Sequence, residues 1–509
     1  MLRRILPAAN AIFLGHVIAR LGSLILVPLF LRYWSATRYG EYVALFAAAS
    51  YLASLDIGIQ QATVNRLTQA YARNDSNEYR SVQHTAMTFY VVLAASVTVV
   101  VAGLAWILPI TRWMGLKLTA PSTATAVIIL LGIYVMWSMP MRLVTATYQS
   151  AGNLARTQWI ANLQQIVVIF LSAIALLLGW GMLAIALLQV LTVGLTASFV
   201  LLDLHRRLPG LFPGMAGARL SALQDLAHPS LLFALLLVGN LVAYQGSTLV
   251  ISAAMGGLAV AVVSISKSVI DLIRQVLYSI TLALCPDFAR MEALGEFEKL
   301  RKVHRMAVAA TASITLALAA SVWYEGPQII AVWTRGRIEP DMLLLRLFVV
   351  LLVFQTPWAA SSTVATATNR HKVQAIGYFF SAVIGIALVA ALVGRLGTWA
   401  VPVGLSLGEA VGCYHFVIKA TCRIIGESYA AFALRFWLGF AVVAAAVLAV
   451  GWIIHNLMPG PMLVRWAGMG LFTLTVATAC GWMLWLTPED RALLLRLRPA
   501  LGLSSAKAA

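Results

Sequence analysis

Stretches of eighteen or more almost wholly apolar residues recur from one end of the 509-residue chain to the other. Each is long enough to cross a hydrocarbon core roughly 30 Å thick as a helix. In lipid, only helices and closed barrels satisfy every backbone N–H and C=O. These runs are too long and continuous for the alternating strands of a barrel. The chain therefore reads as an all-α polytopic membrane protein. Composition agrees: 11% of residues are charged, against about a quarter in a soluble domain.

Fourteen spans can be placed, at about 9–31, 42–65, 84–108, 122–148, 158–178, 181–202, 229–255, 257–284, 304–324, 342–366, 373–394, 398–420, 432–455 and 463–486. An even number puts both termini on one side. Lys and Arg divide 24 on that side to 8 on the other, with Arg20, Lys267, Arg274 and Arg346 inside spans. Cytoplasmic loops carry the Lys/Arg excess, so both termini are expected in the cytoplasm. The net charge of +18 is then a topology signal and a match to anionic lipid. A nucleic-acid partner would need a soluble basic domain, and the sequence has none.

The start, MLRRILPAANAIFLGHVIARLGSL, has the basic front and apolar run of a secretory signal. Its pattern continues through Leu31, so it reads as a retained first helix. Cys285, Cys413, Cys422 and Cys480 lack the spacing of a disulfide framework or metal site, and no cofactor motif stands out. The longest links, 203–228 and 285–303, are too short for a soluble catalytic domain. The second mixes charges like an interfacial helix.

GNLARTQWI (152–160) precedes span five, and TNRHKVQAI (368–376) precedes span eleven. Asn153 and Asn369, Arg156 and Lys372, Gly181 and Gly397, and Arg207 and Arg423 are each 216 positions apart; Trp106 and Trp323 are 217 apart. A nearly constant offset of almost half the chain marks an internal repeat. Six spans per copy give both copies one orientation, as in transporters built from parallel repeats. The expected domains are an N-terminal lobe (1–228), a C-terminal lobe (229–425), and two extra spans with a cytoplasmic tail (426–509).

Span eight contains SISKSVIDLIRQVLYSI (264–280). On a helix, Lys267, Asp271, Arg274 and Tyr278 fall within roughly 60° of one another. A charge at the bilayer centre costs about 2.5–3.5 kcal/mol, so this stripe should face a cavity or another helix. Span one has His16, Arg20 and Ser23 at helical spacing, span two has Asp56, Gln60 and Thr63, and Arg346 and Glu409 fall in spans ten and twelve. A plainer reading pairs Lys267 with Asp271 and Arg20 with Asp56 as structural neutralisation. Glu409 could serve helix–helix hydrogen bonding, and Arg346 could snorkel near an interface. An arginine kept in a low-dielectric cleft suits phosphate, because its planar fork takes two oxygens and stays charged. Asp271 on the same face could tune that field or carry a coupling proton or sodium ion.

YGEYVALFAAASYLASLDIGIQQATVNRLTQAYAR (39–73) opens span two on a tyrosine–glycine pair, turns at Asp56, Ile57 and Gly58, and ends near Asn65 and Arg66. With the span count and the six-plus-six repeat, it resembles the bacterial polysaccharide transporter family, the O-antigen and exopolysaccharide flippases. These belong to the multidrug/oligosaccharidyl-lipid/polysaccharide exporter superfamily. The resemblance implies a V-shaped pair of lobes in the bacterial inner membrane around a central cationic cavity, lined by spans one, two, seven and eight. It implies alternating access that turns an undecaprenyl-diphosphate-linked oligosaccharide between leaflets. It places Arg20 and Arg274 on the diphosphate, with Lys267 beside them. Asp56 matches an acidic residue of span two. Asp271 and Glu409 are then candidates for coupling H+ or Na+, or for tuning the cavity. A polymerase and a chain-length regulator are the protein partners such a flippase implies. Arg435 and Arg465 flank spans thirteen and fourteen, which form a lipid groove in lipid II flippases.

Other readings stand beside this one: a multidrug or lipid II exporter of the same superfamily, or a membrane-embedded polymerase or ligase. GLSLG (404–408) matches the nucleophile elbow of α/β-hydrolases, but that motif needs a strand–turn–helix setting. Inside a span, its small residues fit close helix packing. The chain is therefore expected not to be an enzyme.

Overall fold

A computed structural model describes residues 2–368, 370–458 and 461–491. Asn369 of the repeat and the tail from 492 onward lie outside them. All regular structure among the described residues is helical. The first half holds α1 (Leu2–Tyr33), α2 (Ala36–Ser50), a 3-10 turn (Tyr51–Asp56), α3 (Ile59–Ala72), α4 (Ser76–Ile107), α5 (Ile110–Trp113), α6 (Pro121–Ser150), α7 (Leu154–Leu177) and α8 (Met182–Arg207). Next come α9 (Leu220–Leu241), a π turn (Val242–Gly246), α10 (Ser247–Met255), α11 (Gly257–Ala293), α12 (Phe297–Trp333), α13 (Met342–Ala367) and α14 (Lys372–Leu396). The chain then runs through α15 (Ala400–Glu409), a second π turn (Ala410–Tyr414), α16 (His415–Ile425), α17 (Tyr429–Leu457) and α18 (Met462–Leu484).

Each expected span falls on helix. By length and composition, 11 helices among the described residues can cross a membrane, or up to 12 if the bent α2–α3 pair is one span. Two features separate that count from fourteen. Residues 372–425 pass as a single run, though they cover two expected spans. The charge-bearing α11 is not among the helices that pass. The chain is an integral multi-pass membrane protein. The link expected at 285–303 is largely helix: α11 runs to Ala293 and α12 starts at Phe297.

Contacts divide the chain into two compact units. One takes the chain up to Ser264 with 333–339 and 393–398; the other takes 265–332, 340–392 and the chain from 399. Local chemistry sets the helix ends. Ser35, Asp75, Asn153, Asp341 and Ser428 are N-caps whose side chains accept a backbone N–H from the first turn. Span two breaks where the sequence places its aspartate–glycine turn. Ile57 (φ 50°) and Gly58 (φ 71°) are both left-handed, and the helices on either side differ in direction by 44°. A β-branched residue adopts that conformation only under tertiary constraint. Pro140 inside α6 and Pro357 inside α13 lie 217 positions apart, a further trace of the repeat.

Glycines allow two close helix approaches. A Cβ at Gly40 would lie 1.7 Å from the carbonyl oxygen of Gly257, so α2 and the start of α11 touch backbone to backbone in the first unit. In the second unit, a Cβ at Gly408 would meet the Ser381 carbonyl at 2.4 Å, and Gly404 and Gly412 crowd α14 similarly. The GLSLG segment is thus a helix-packing surface.

Candidate functional site

A cavity of about 940 Å³ lies inside the first unit. That is near the upper end of small-molecule sites, roughly 300–1,000 Å³. α6 contributes Ser138, Arg142, Thr145 and Gln149, and α7 contributes Gln158, Gln165 and Ser172. The steps of three, four and seven put each set on one helix face. Asp56, Gln60 and Gln61 enter from the break in span two, and Tyr39, Tyr42 and Phe46 from α2. Seven glutamines line the space: 60, 61, 149, 158, 164, 165 and 189. Gln189 Nε2 donates to the Tyr42 hydroxyl at 3.0 Å and Gln61 Nε2 donates to Asn65 at 3.2 Å. The side-chain amides of Gln149, Gln158, Gln164 and Gln165 hold no hydrogen bond to another described residue.

Asp56, expected to tune the cavity or carry a coupling ion, lines this space. Its Oδ1 accepts the Tyr90 hydroxyl from α4 and, at 3.2 Å, the backbone N–H of Gln60. Those bonds fix the bend that delivers Gln60 and Gln61. Arg20 and His16 are half-buried on α1.

The second unit gathers the other four expected residues. Arg274 forms an ion pair with Asp271, one helical turn before it on α11. The Lys267 ammonium lies within the field of Asp271. Glu409 is buried and joins α15 to α13, accepting Gln355 Nε2 at 2.6 Å and Trp358 Nε1 at 3.1 Å; the charge of Arg274 also reaches it. Arg346 stacks over the Trp323 ring at 4.9 Å.

Two features escaped the sequence reading. Arg142 falls within the span expected at 122–148 but was grouped with the loops in the charge division; it lies on the cavity face of α6. The buried carboxylate of Glu325 on α12 accepts from His455 Nδ1 at 2.7 Å and Trp466 Nε1 at 3.1 Å, and pairs with Arg465 at 3.1 Å. It ties the two C-terminal helices to the rest of their unit. The signal for the cavity was present as Gln158, Gln164 and Gln165 inside an apolar run. Hydropathy weighs such residues singly, while their shared face emerges only on the helix.

No known protein family and no curated protein matches the sequence. Solved structures do match the fold. An inward-facing multidrug resistance MATE transporter of the MOP superfamily has a TM-score of 0.69 at 19% identity, over 79% of this chain and 94% of its own. The lipid II flippase MurJ in an inward closed conformation has a TM-score of 0.70 at 11% identity, over 96% of this chain and 99% of its own. A Pyrococcus furiosus transporter of the MOP superfamily, whose reversed pocket polarity suggests a different function, has a TM-score of 0.59 at 17% identity, over 84% and 96%. At these identities the common ground is the fold: this chain is folded as the transporters of that superfamily are.

Proposed function

We propose that this protein is a flippase of the MOP superfamily that moves a polyprenyl-diphosphate-linked oligosaccharide across the bacterial inner membrane. The observation that carries this reading is the set of glutamine amides, at 149, 158, 164 and 165, that face the cavity of the first unit without a hydrogen-bond partner among the described residues. A buried or half-buried amide left unbonded is unfavourable, so these groups call for water or a ligand rich in donors and acceptors. Sugar hydroxyls are both. Tyr39, Tyr42, Tyr134 and Phe46 add ring faces for the apolar side of a pyranose. A lipophilic drug cation would favour carboxylates, and the cavity holds one, Asp56, already engaged. Alternating access completes the reading.

The test is a deletion strain complemented with wild type or with Gln158→Leu/Gln165→Leu. Loss of surface glycan and accumulation of lipid-linked repeat units on the cytoplasmic leaflet are expected in the deletion. The double variant should insert normally yet restore less than about a tenth of export, the loss of one to two hydrogen bonds. Unchanged glycan in the deletion would leave a drug exporter as the better reading.

A further inference from the structure

Arg142 is the single cation among the described residues that line the cavity of the first unit. It lies eight residues before the end of α6 at Ser150, about two helical turns inside. Its guanidinium makes no hydrogen bond or ion pair with another described residue. The one carboxylate of the cavity is turned to Tyr90 and to the backbone of Gln60. The Arg142 charge still reaches the Tyr90 and Tyr134 hydroxyls. Its side chain is exposed to the cavity rather than packed into protein, so it is open to a ligand. The amides and hydroxyls that line the cavity with it carry no charge to neutralise it. Around it on α6 and α7 stand Thr145, Gln149 and Gln158, all hydrogen-bonding groups.

We propose that Arg142 is the anion-recognising residue of this cavity. Its planar fork takes the paired oxygens of a carboxylate or phosphate on the ligand, while the glutamine amides take the hydroxyls around it. The proposal rests on the glycan reading above and narrows it: the cargo presents an oxyanion to the cavity. Two sources offer that chemistry, an acidic sugar within the repeat unit and the diphosphate at its lipid end.

Binding to the full-length protein in lipid nanodiscs tests it. The probes are a glucuronate-containing tetrasaccharide, its carboxyl-reduced neutral counterpart, and inorganic pyrophosphate. The proteins are wild type, Arg142→Gln and Arg142→Lys. Wild type should bind an anionic probe at least about tenfold more tightly than the neutral sugar, the scale of one charge-assisted contact. Arg142→Gln should lose that preference and keep the neutral binding, which also shows that it is folded; Arg142→Lys should recover part of it. If the tetrasaccharide carries the effect, the source is a sugar acid. If pyrophosphate carries it, the source is the lipid end. A preference retained in Arg142→Gln, or absent in a wild type that binds neutral sugar, overturns the proposal. Pyrophosphate binding that depends on Arg142, with no sugar bound, overturns the glycan reading alone. No binding of any probe overturns both.

Discussion

Gln60 donates its backbone N–H to Asp56 Oδ1 at 3.2 Å, across the left-handed pair Ile57–Gly58. The carboxylate thus caps the second half of a broken span while holding the Tyr90 hydroxyl of α4. Both bonds need an acceptor oxygen, and neither needs a full charge. Asp56→Asn should keep most export. Asp56→Ala should lower stability by about 1–2 kcal/mol, the cost of a lost cap and an unmet hydroxyl. Thermal unfolding and surface glycan measured together decide the point. A folded Asp56→Asn protein without export would make the charge itself essential, as coupling to H+ or Na+ requires.

Arg274 and Asp271 form an ion pair on α11. Removing one partner leaves the other less compensated within a span, whereas removing both does not. Arg274→Gln should unfold at a lower temperature than wild type, and Arg274→Gln/Asp271→Asn should recover much of that loss. If Arg274 also meets the diphosphate, the double variant should stay inactive. A double variant that regains both stability and export would make the pair purely structural.

Glu325 is almost fully buried and receives His455, Arg465 and Trp466 from α17 and α18. Glu325→Leu leaves the Arg465 guanidinium without its carboxylate. A loss of about 3 kcal/mol is expected. Proteolysis should then cut the connection before α17 sooner than in wild type. An unchanged unfolding temperature would show that helix packing alone retains the C-terminal pair.

Asp490 lies beyond the last span, fully buried, where Arg305 forks onto it at 3.2 and 3.1 Å and Thr487 donates its backbone N–H at 3.0 Å. Burial pushes the carboxyl up, but the bonds from Arg305 and Thr487 outweigh it and hold the group below its ordinary range. A lowered folded-state pKa gives stability that is present above the unfolded value, near 4, and lost as pH falls through the folded one. Unfolding temperature should therefore be steady from neutral pH to about 5 and fall below about 4. Asp490→Asn should lower it at neutral pH and flatten the acid decline. An identical acid profile in the variant would place the titration elsewhere.

The helices were legible because lipid leaves the backbone few choices, and eighteen apolar residues declare themselves without a partner. The break at Asp56–Ile57–Gly58 was legible for the same local reason, a turn chemistry written in three neighbours. Arg142 was not. It lies within the span expected at 122–148, yet the charge division grouped it with the loops, and only its place on the cavity face of α6 shows what it does there. The surroundings of Asp271 were legible on its own helix: i,i+3 and i,i+4 partners are both good there, and Arg274 and Lys267 at those distances both act on it. The Glu325 cluster joins residues 130 to 141 positions apart, and no periodicity reports a contact between distant helices.

The meeting of Gly40 and Gly257 is backbone against backbone. The buried Glu41 side chain passes beside Gly257 and accepts the Lys117 and Leu118 N–H groups, so the seam is locked on one flank and bare backbone on the other. Such a seam has no room for an added atom. A single methyl group on either face would prop it ajar.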